Sequence, residues 1–146
     1  DVALDYFGSF DSFLVSAKTA YAWRGDDTTI FSGSASVRHV PTGLNLTVAA
    51  GSQDNGAVTG SYGYIKAGWQ GDLIDWGATA VTVEAYSGSD IAGAGFDSSS
   101  TAIALVQDIN RYNTELWAIW REYNLDSTTT SYDPATALFL GARVRF

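Results

Sequence analysis

Cysteine is absent from the 146 residues, so neither a disulfide framework nor thiol chemistry is available. Histidine occurs once, at His39, with no cysteine, second histidine or acidic cluster at metal-ligand spacing around it. Serines are plentiful, but nothing near His39 marks one of them as a nucleophile. Basic residues are scarce too: 8 Lys+Arg stand against 16 Asp+Glu. The formal net charge of -8 disfavours electrostatic attraction to nucleic acid or to anionic lipid. Long apolar runs are missing, because charged or small polar residues interrupt every stretch well short of the roughly 18 residues of a transmembrane helix. The opening residues DVALDYF have neither the basic nor the apolar region of a secretory signal. The glycines form no phosphate-cradling motif, and the loop acids Asp54, Asp90, Asp97, Asp126 and Asp133 match no calcium loop. The expectation is a chain with no catalytic residues, no metal and no cofactor.

What is present is apolar and aromatic. Hydrophobic residues make up 46% and aromatic residues 14%, against only 16% charged, too apolar a mixture for a disordered chain. The length suits one domain, residues 1–146. Apolar residues recur at a period of two, as on a strand with one face in an apolar medium. Phe13, Val15, Ala17, Thr19, Tyr21 and Trp23 form one row, interleaved with Ser12, Ser16, Lys18 and Arg24. Leu44, Leu46, Val48 and Ala50 alternate with Asn45 and Thr47, and Leu138, Leu140, Ala142, Val144 and Phe146 alternate with Gly141, Arg143 and Arg145. With no helix able to span a bilayer, only an antiparallel β-barrel could cross one.

The pattern predicts nine strands, near 1–7, 12–24, 30–40, 43–52, 61–70, 76–86, 101–108, 114–124 and 135–146. The seventh is the least clear, since Ala102 to Val106 are apolar on both faces. The connections between them broadly alternate shorter and longer, the asymmetry of tight periplasmic turns and longer external loops. A final strand running toward the periplasm orients the rest. Bacterial barrels normally have an even strand number, so nine segments favour a C-terminal portion of a larger barrel; eight, if the first is discounted, would permit a small closed one.

In that orientation Trp69, Trp76, Tyr112 and Phe146 fall near periplasmic strand ends, and Tyr21, Trp23, Phe31, Tyr62, Tyr86 and Trp120 near outer ends. Two such girdles are what headgroup-depth anchoring of amphipathic rings selects. Lys18, Arg38, Lys66, Arg121, Arg143 and Arg145 share the parity opposite the apolar rows, with Asp5, Glu84 and Glu115 among them. Facing lipid, each mid-membrane charge would cost roughly 2–4 kcal/mol. These residues are therefore expected on a water-filled wall, as a basic strip that tunes ion selectivity.

The stretches VRHVPTGLNLTVAAG (37–51), YIKAGW (64–69), ALVQDI (104–109), ELWAIWREY (115–123) and GARVRF (141–146) resemble, in order and spacing, the C-terminal strands of alphaproteobacterial outer-membrane general-diffusion porins. The resemblance covers most of the chain and rests on order more than on any single motif. It implies a sixteen-stranded trimeric barrel in the outer membrane of a Gram-negative bacterium, surrounded by lipid and lipopolysaccharide, with an inward-folded constriction loop. That loop would belong to an N-terminal half not found in these residues. Phe146 matches the terminal aromatic that the barrel-assembly machinery recognises. Two other readings remain open. One is a closed eight-stranded barrel acting as an adhesin or envelope structural protein; the other is a soluble β-sandwich whose exposed aromatics bind sugar.

Overall fold

A computed structural model describes residues 1–25 and 27–146. Asp26, inside the expected connection Gly25 to Thr29, lies outside the described residues. The chain forms β1 (Val2–Phe10), β2 (Phe13–Trp23), β3 (Thr29–His39), β4 (Leu44–Asp54), β5 (Thr59–Ile74), β6 (Gly77–Ser89), β7 (Phe96–Ile109), β8 (Thr114–Ser127) and β9 (Ala135–Val144). All nine pair antiparallel with their chain neighbours in a single sheet ordered β1 to β9. The sheet is not closed, since β1 and β9 pair only with β2 and β8. Among the described residues no second sheet packs on it as a sandwich requires, and no eight-stranded closed barrel forms.

Each expected strand is present, several of them longer than the alternation suggested. β7 begins at Phe96, so the wide connection expected between Ser87 and Ser100 contracts to residues 90–95. Its doubly apolar stretch is a strand in which Ile103 and Leu105 face outward, while Ala102 lies between Glu84 and Arg121 on the polar face. A side chain as small as alanine leaves room for those two to meet across it. The turns at one end, residues 11–12, 40–43, 75–76 and 110–113, are no longer than four residues. Those at the other end, 24–28, 55–58, 90–95 and 128–134, are no shorter than that.

Local chemistry fixes the tight turns. Asp11 (φ 51°) and Asn113 (φ 46°) take the left-handed conformation that short polar side chains tolerate. Gly43 (φ +72°) could not carry a side chain, because a Cβ there would run into the Gln70 carbonyl; its own carbonyl accepts the Gln70 N–H at 3.0 Å. At the bulge between Gly71 and Ile74, Gln107 donates its amide to the carbonyls of Gly77 (3.1 Å) and Asp108 (2.8 Å) and accepts from the Thr79 hydroxyl at 2.6 Å. A glutamine and a buried threonine on an otherwise apolar face are thereby satisfied internally.

Ala102 is the one buried hydrophobic residue among those described. Leu46, Val48, Ile65, Val83, Ile103, Leu105, Leu138 and Leu140 are all exposed. The accessible surface is 9723 Å², whereas a soluble globular chain of 15.6 kDa would show about 7,200 Å². The sheet has an apolar face with no protein against it.

That face carries a diagonal band. The register joins Val2, Tyr21, Phe31, Ser52, Ser61, Ser89, Asp97 and Asp126 into one row, which begins apolar and ends in two aspartates. Lower down, the row through Val15, Val37, Leu46, Ala67, Val83, Ile103, Trp120 and Leu138 is apolar throughout. From β2 to β8 the upper limit of the band drops from the row of Trp23 to that of Val15, eight residues over six strand-to-strand steps. At about 3.3 Å per residue and 4.8 Å per step, the boundary slopes by roughly 43° relative to the cross-strand direction. On β7 to β9 the band reaches correspondingly lower, to Ile109, Leu116 and Val144.

Candidate functional site

The opposite face holds the basic residues of the strands. Strand alternation puts Lys18, Arg38, Lys66, Glu84, Arg121 and Arg143 on it, and the register carries Asp5, Lys18, Ser34, Ala49, Tyr64, Tyr86, Ser100 and Tyr123 across eight strands in one row. Most of its residues in β3 to β8 are half-buried, while the apolar row of the same strands is exposed. Crowding of one face alone is what a sheet curled with that face inward produces.

The expected basic strip is largely neutralised. Lys18 pairs with Asp5 at 2.7 Å, in a position where both side chains are more than 60% exposed. Arg121 pairs with Glu84, whose second oxygen accepts the Tyr64 hydroxyl at 2.6 Å; this is the most enclosed ion pair on the face. Arg143 reaches Glu115 at 2.9 Å, and Arg145, just beyond β9, joins it at 3.4 Å. Arg38 and Lys66 have no ion pair among the described residues, and Arg38 Nε is buried without a hydrogen-bond partner. Arg38 on β3 and Lys66 on β5 are thus the two of these six cations that meet no carboxylate, while Arg143 and Arg145 share the single charge of Glu115. Alternation alone could place all six cations on one face; only the register shows which of them meet a carboxylate.

The aromatic residues divide less simply than two girdles. Tyr21, Trp23 and Trp69 stand on the apolar face, with the Tyr21 and Trp23 rings 6.0 Å apart near the end of β2. Trp76 is exposed in the turn between β5 and β6, and Phe146 is fully exposed past β9. Trp120, expected near an outer strand end, sits instead at the middle of β8 between Ile103 and Leu138. The strand runs on to Ser127, further than the alternation indicated.

Tyr62 and Tyr86 depart from the expectation more sharply. Both lie on the polar face, Tyr62 sharing the parity of Lys66 and Tyr86 that of Glu84. Their rings stack with centroids 6.1 Å apart. With Tyr64 and Tyr123 they place four tyrosines in the upper part of the polar face of β5 to β8. Parity was the signal that could have found them. Trp117 is a further aromatic on this face, lying over Gly141 of β9 where any Cβ would collide with its indole. Conversely, Glu122 belongs to the apolar face, just above the band on β8, beside Thr101 and Thr136.

Among the described residues no group of histidines, cysteines or carboxylates could hold a metal ion, and no helix is long and apolar enough to cross a membrane. The polar face offers graded charge, hydroxyls and flat rings. Compared with known proteins, the chain matches no family model, no curated protein and no solved structure.

Proposed function

We propose that this sheet is wall material of an outer-membrane porin, a water-filled channel through which small polar solutes and ions diffuse passively. The observation that carries the reading is the diagonal apolar band. Strands of a membrane barrel tilt by about 35–45°, so a level hydrocarbon layer must cut across their register at that slope. A face that merely lacked a protein partner would have no reason to shift its apolar limit by about one residue per strand. The polar, inward-curled opposite face then lines water, and the shorter turns lie on the periplasmic side.

In this reading further strands complete a sixteen-stranded barrel beside the edges of β1 and β9, and three such barrels form a trimer in lipid and lipopolysaccharide. Phe146 serves as the aromatic read by the barrel-assembly machinery. Arg38 and Lys66 give the lumen a weak preference for anions.

The test is conductance in planar bilayers, together with intact mass and an unboiled gel of the detergent-solubilised native protein. Ohmic, weakly selective steps from a heat-modifiable trimer are expected. Pure protein that inserts but never conducts would contradict the proposal.

A further inference from the structure

The tyrosines of the polar face have a geometry that the passage of ions does not call for. Tyr62 and Tyr86 lie flat along the sheet because glycine stands where each ring rests. A Cβ at Gly51 would sit 2.6 Å from Tyr62 Cε1, and one at Gly88 would come 3.0 Å from Tyr86 Cζ. Flat rings present a face to the lumen rather than an edge. Tyr64, Tyr86, Tyr123 and Tyr132 also line a cavity of about 600 Å³, with Arg121 and Asp133 beside them. Such a volume lies within the range of small-molecule sites and is ample for a disaccharide.

The charges exclude an anion as the natural occupant. Arg121 is already paired with Glu84, its guanidinium lies 5.7 Å from the Tyr123 ring centre, and Glu84 also takes the Tyr64 hydroxyl. Asp133 adds a negative charge that no ion pair offsets among the described residues. Remaining are ring faces for C–H contact and, from Ser98 and Ser100, hydroxyls that both donate and accept hydrogen bonds. That combination suits a ligand with one flat apolar face and a periphery of hydroxyls.

We propose that this tyrosine-lined cavity, at the end of the polar face that carries the longer connections, is a binding subsite for neutral saccharides. The inference deepens the pore reading, in which the polar face is the lumen wall and the subsite would hold sugars at the outer mouth before they pass.

Ligand-observed saturation-transfer NMR on the full chain in detergent tests it, with cellobiose as probe. Mannitol serves as a polyol without a ring face, and glucose 6-phosphate as an anionic sugar. Cellobiose should show saturable transfer centred on its ring C–H protons, and mannitol none. Tyr123→Ala and Tyr86→Ala should each weaken binding about five-fold, while Tyr123→Phe, which keeps the ring, should stay within about two-fold of the parent. Heat-modifiable gel mobility would verify that each variant is folded. Equal transfer to mannitol, tighter binding of glucose 6-phosphate, or no loss in either alanine variant would overturn the proposal. Conductance of the same preparation separates the two readings: a conducting protein that ignores cellobiose loses the subsite alone, and a cellobiose-binding protein that never conducts loses the pore alone.

Discussion

Ile65 and Lys66 are neighbours in the chain, as are Val83 with Glu84 and Trp120 with Arg121, yet each pair divides between opposite faces of one sheet. On the first face the side chains are large, apolar and exposed; on the second they are polar and half-buried, with Glu84 and Arg121 paired to each other. A soluble sheet would bury the first and expose the second. Here the arrangement is reversed, and the apolar side has no protein core of this chain against it.

Exchanging the character of the two faces should have strongly unequal consequences. Val83→Arg, in the middle of the apolar band, should destabilise the lipid-inserted protein by roughly 2–4 kcal/mol, measured by urea unfolding from vesicles. Ser34→Arg, at a comparable height on the polar face, should change the same midpoint by less than about 1 kcal/mol. Similar losses at both sites would erase the distinction between the faces. Gly43→Ala forces a side chain into a left-handed turn against the Gln70 carbonyl and should cost on the order of 1–3 kcal/mol by the same assay.

Within the polar face, the half-enclosed and exposed ion pairs should also differ. A double-mutant cycle on Glu84→Gln and Arg121→Met should return a coupling of about 1 kcal/mol or more, because Tyr64 and Arg121 share the carboxylate. The exposed Lys18–Asp5 pair should return less than about 0.5 kcal/mol. Conduction should follow the unpaired charges instead. Arg38→Glu with Lys66→Glu should move the reversal potential in a salt gradient toward cation selectivity, further than Lys18→Glu and Arg143→Glu together. An equal shift from both pairs of substitutions would show that ion pairing does not grade the wall.

The strands were legible because alternation is a local property. Phe13 to Trp23 and Leu44 to Ala50 announce their faces residue by residue, and all nine segments are strands. The placement of the charged residues on one face followed from the same parity. Pairing did not, because which carboxylate meets Arg121 depends on the register of β6 and β8 with β7 between them, set by turns far from either residue. Nearness to strand ends groups Tyr62 and Tyr86 with the girdle aromatics, whereas their parity assigns them to the polar side. The slope of the apolar band was hidden for the same reason as the ion pairs: it exists only once the strands are laid side by side. Trp120 lies mid-strand because hydrogen bonding carries β8 on to Ser127, through residues whose composition resembles a loop.

Phe31 and Asp97 give the most direct test, since they occupy one cross-strand row of the apolar face, four strands apart. The chain has no cysteine, so single substitutions Phe31→Cys and Asp97→Cys accept nitroxide labels without background. Collision rates with oxygen and with a water-soluble nickel complex, measured in lipid vesicles, report whether each label sits in hydrocarbon or in water. If tilted strands cross a bilayer, the label at position 31 should be accessible to oxygen and shielded from nickel, and the label at 97 the reverse. Equal accessibility at the two positions would mean that the band does not follow a membrane, and the barrel-wall reading would fall with it.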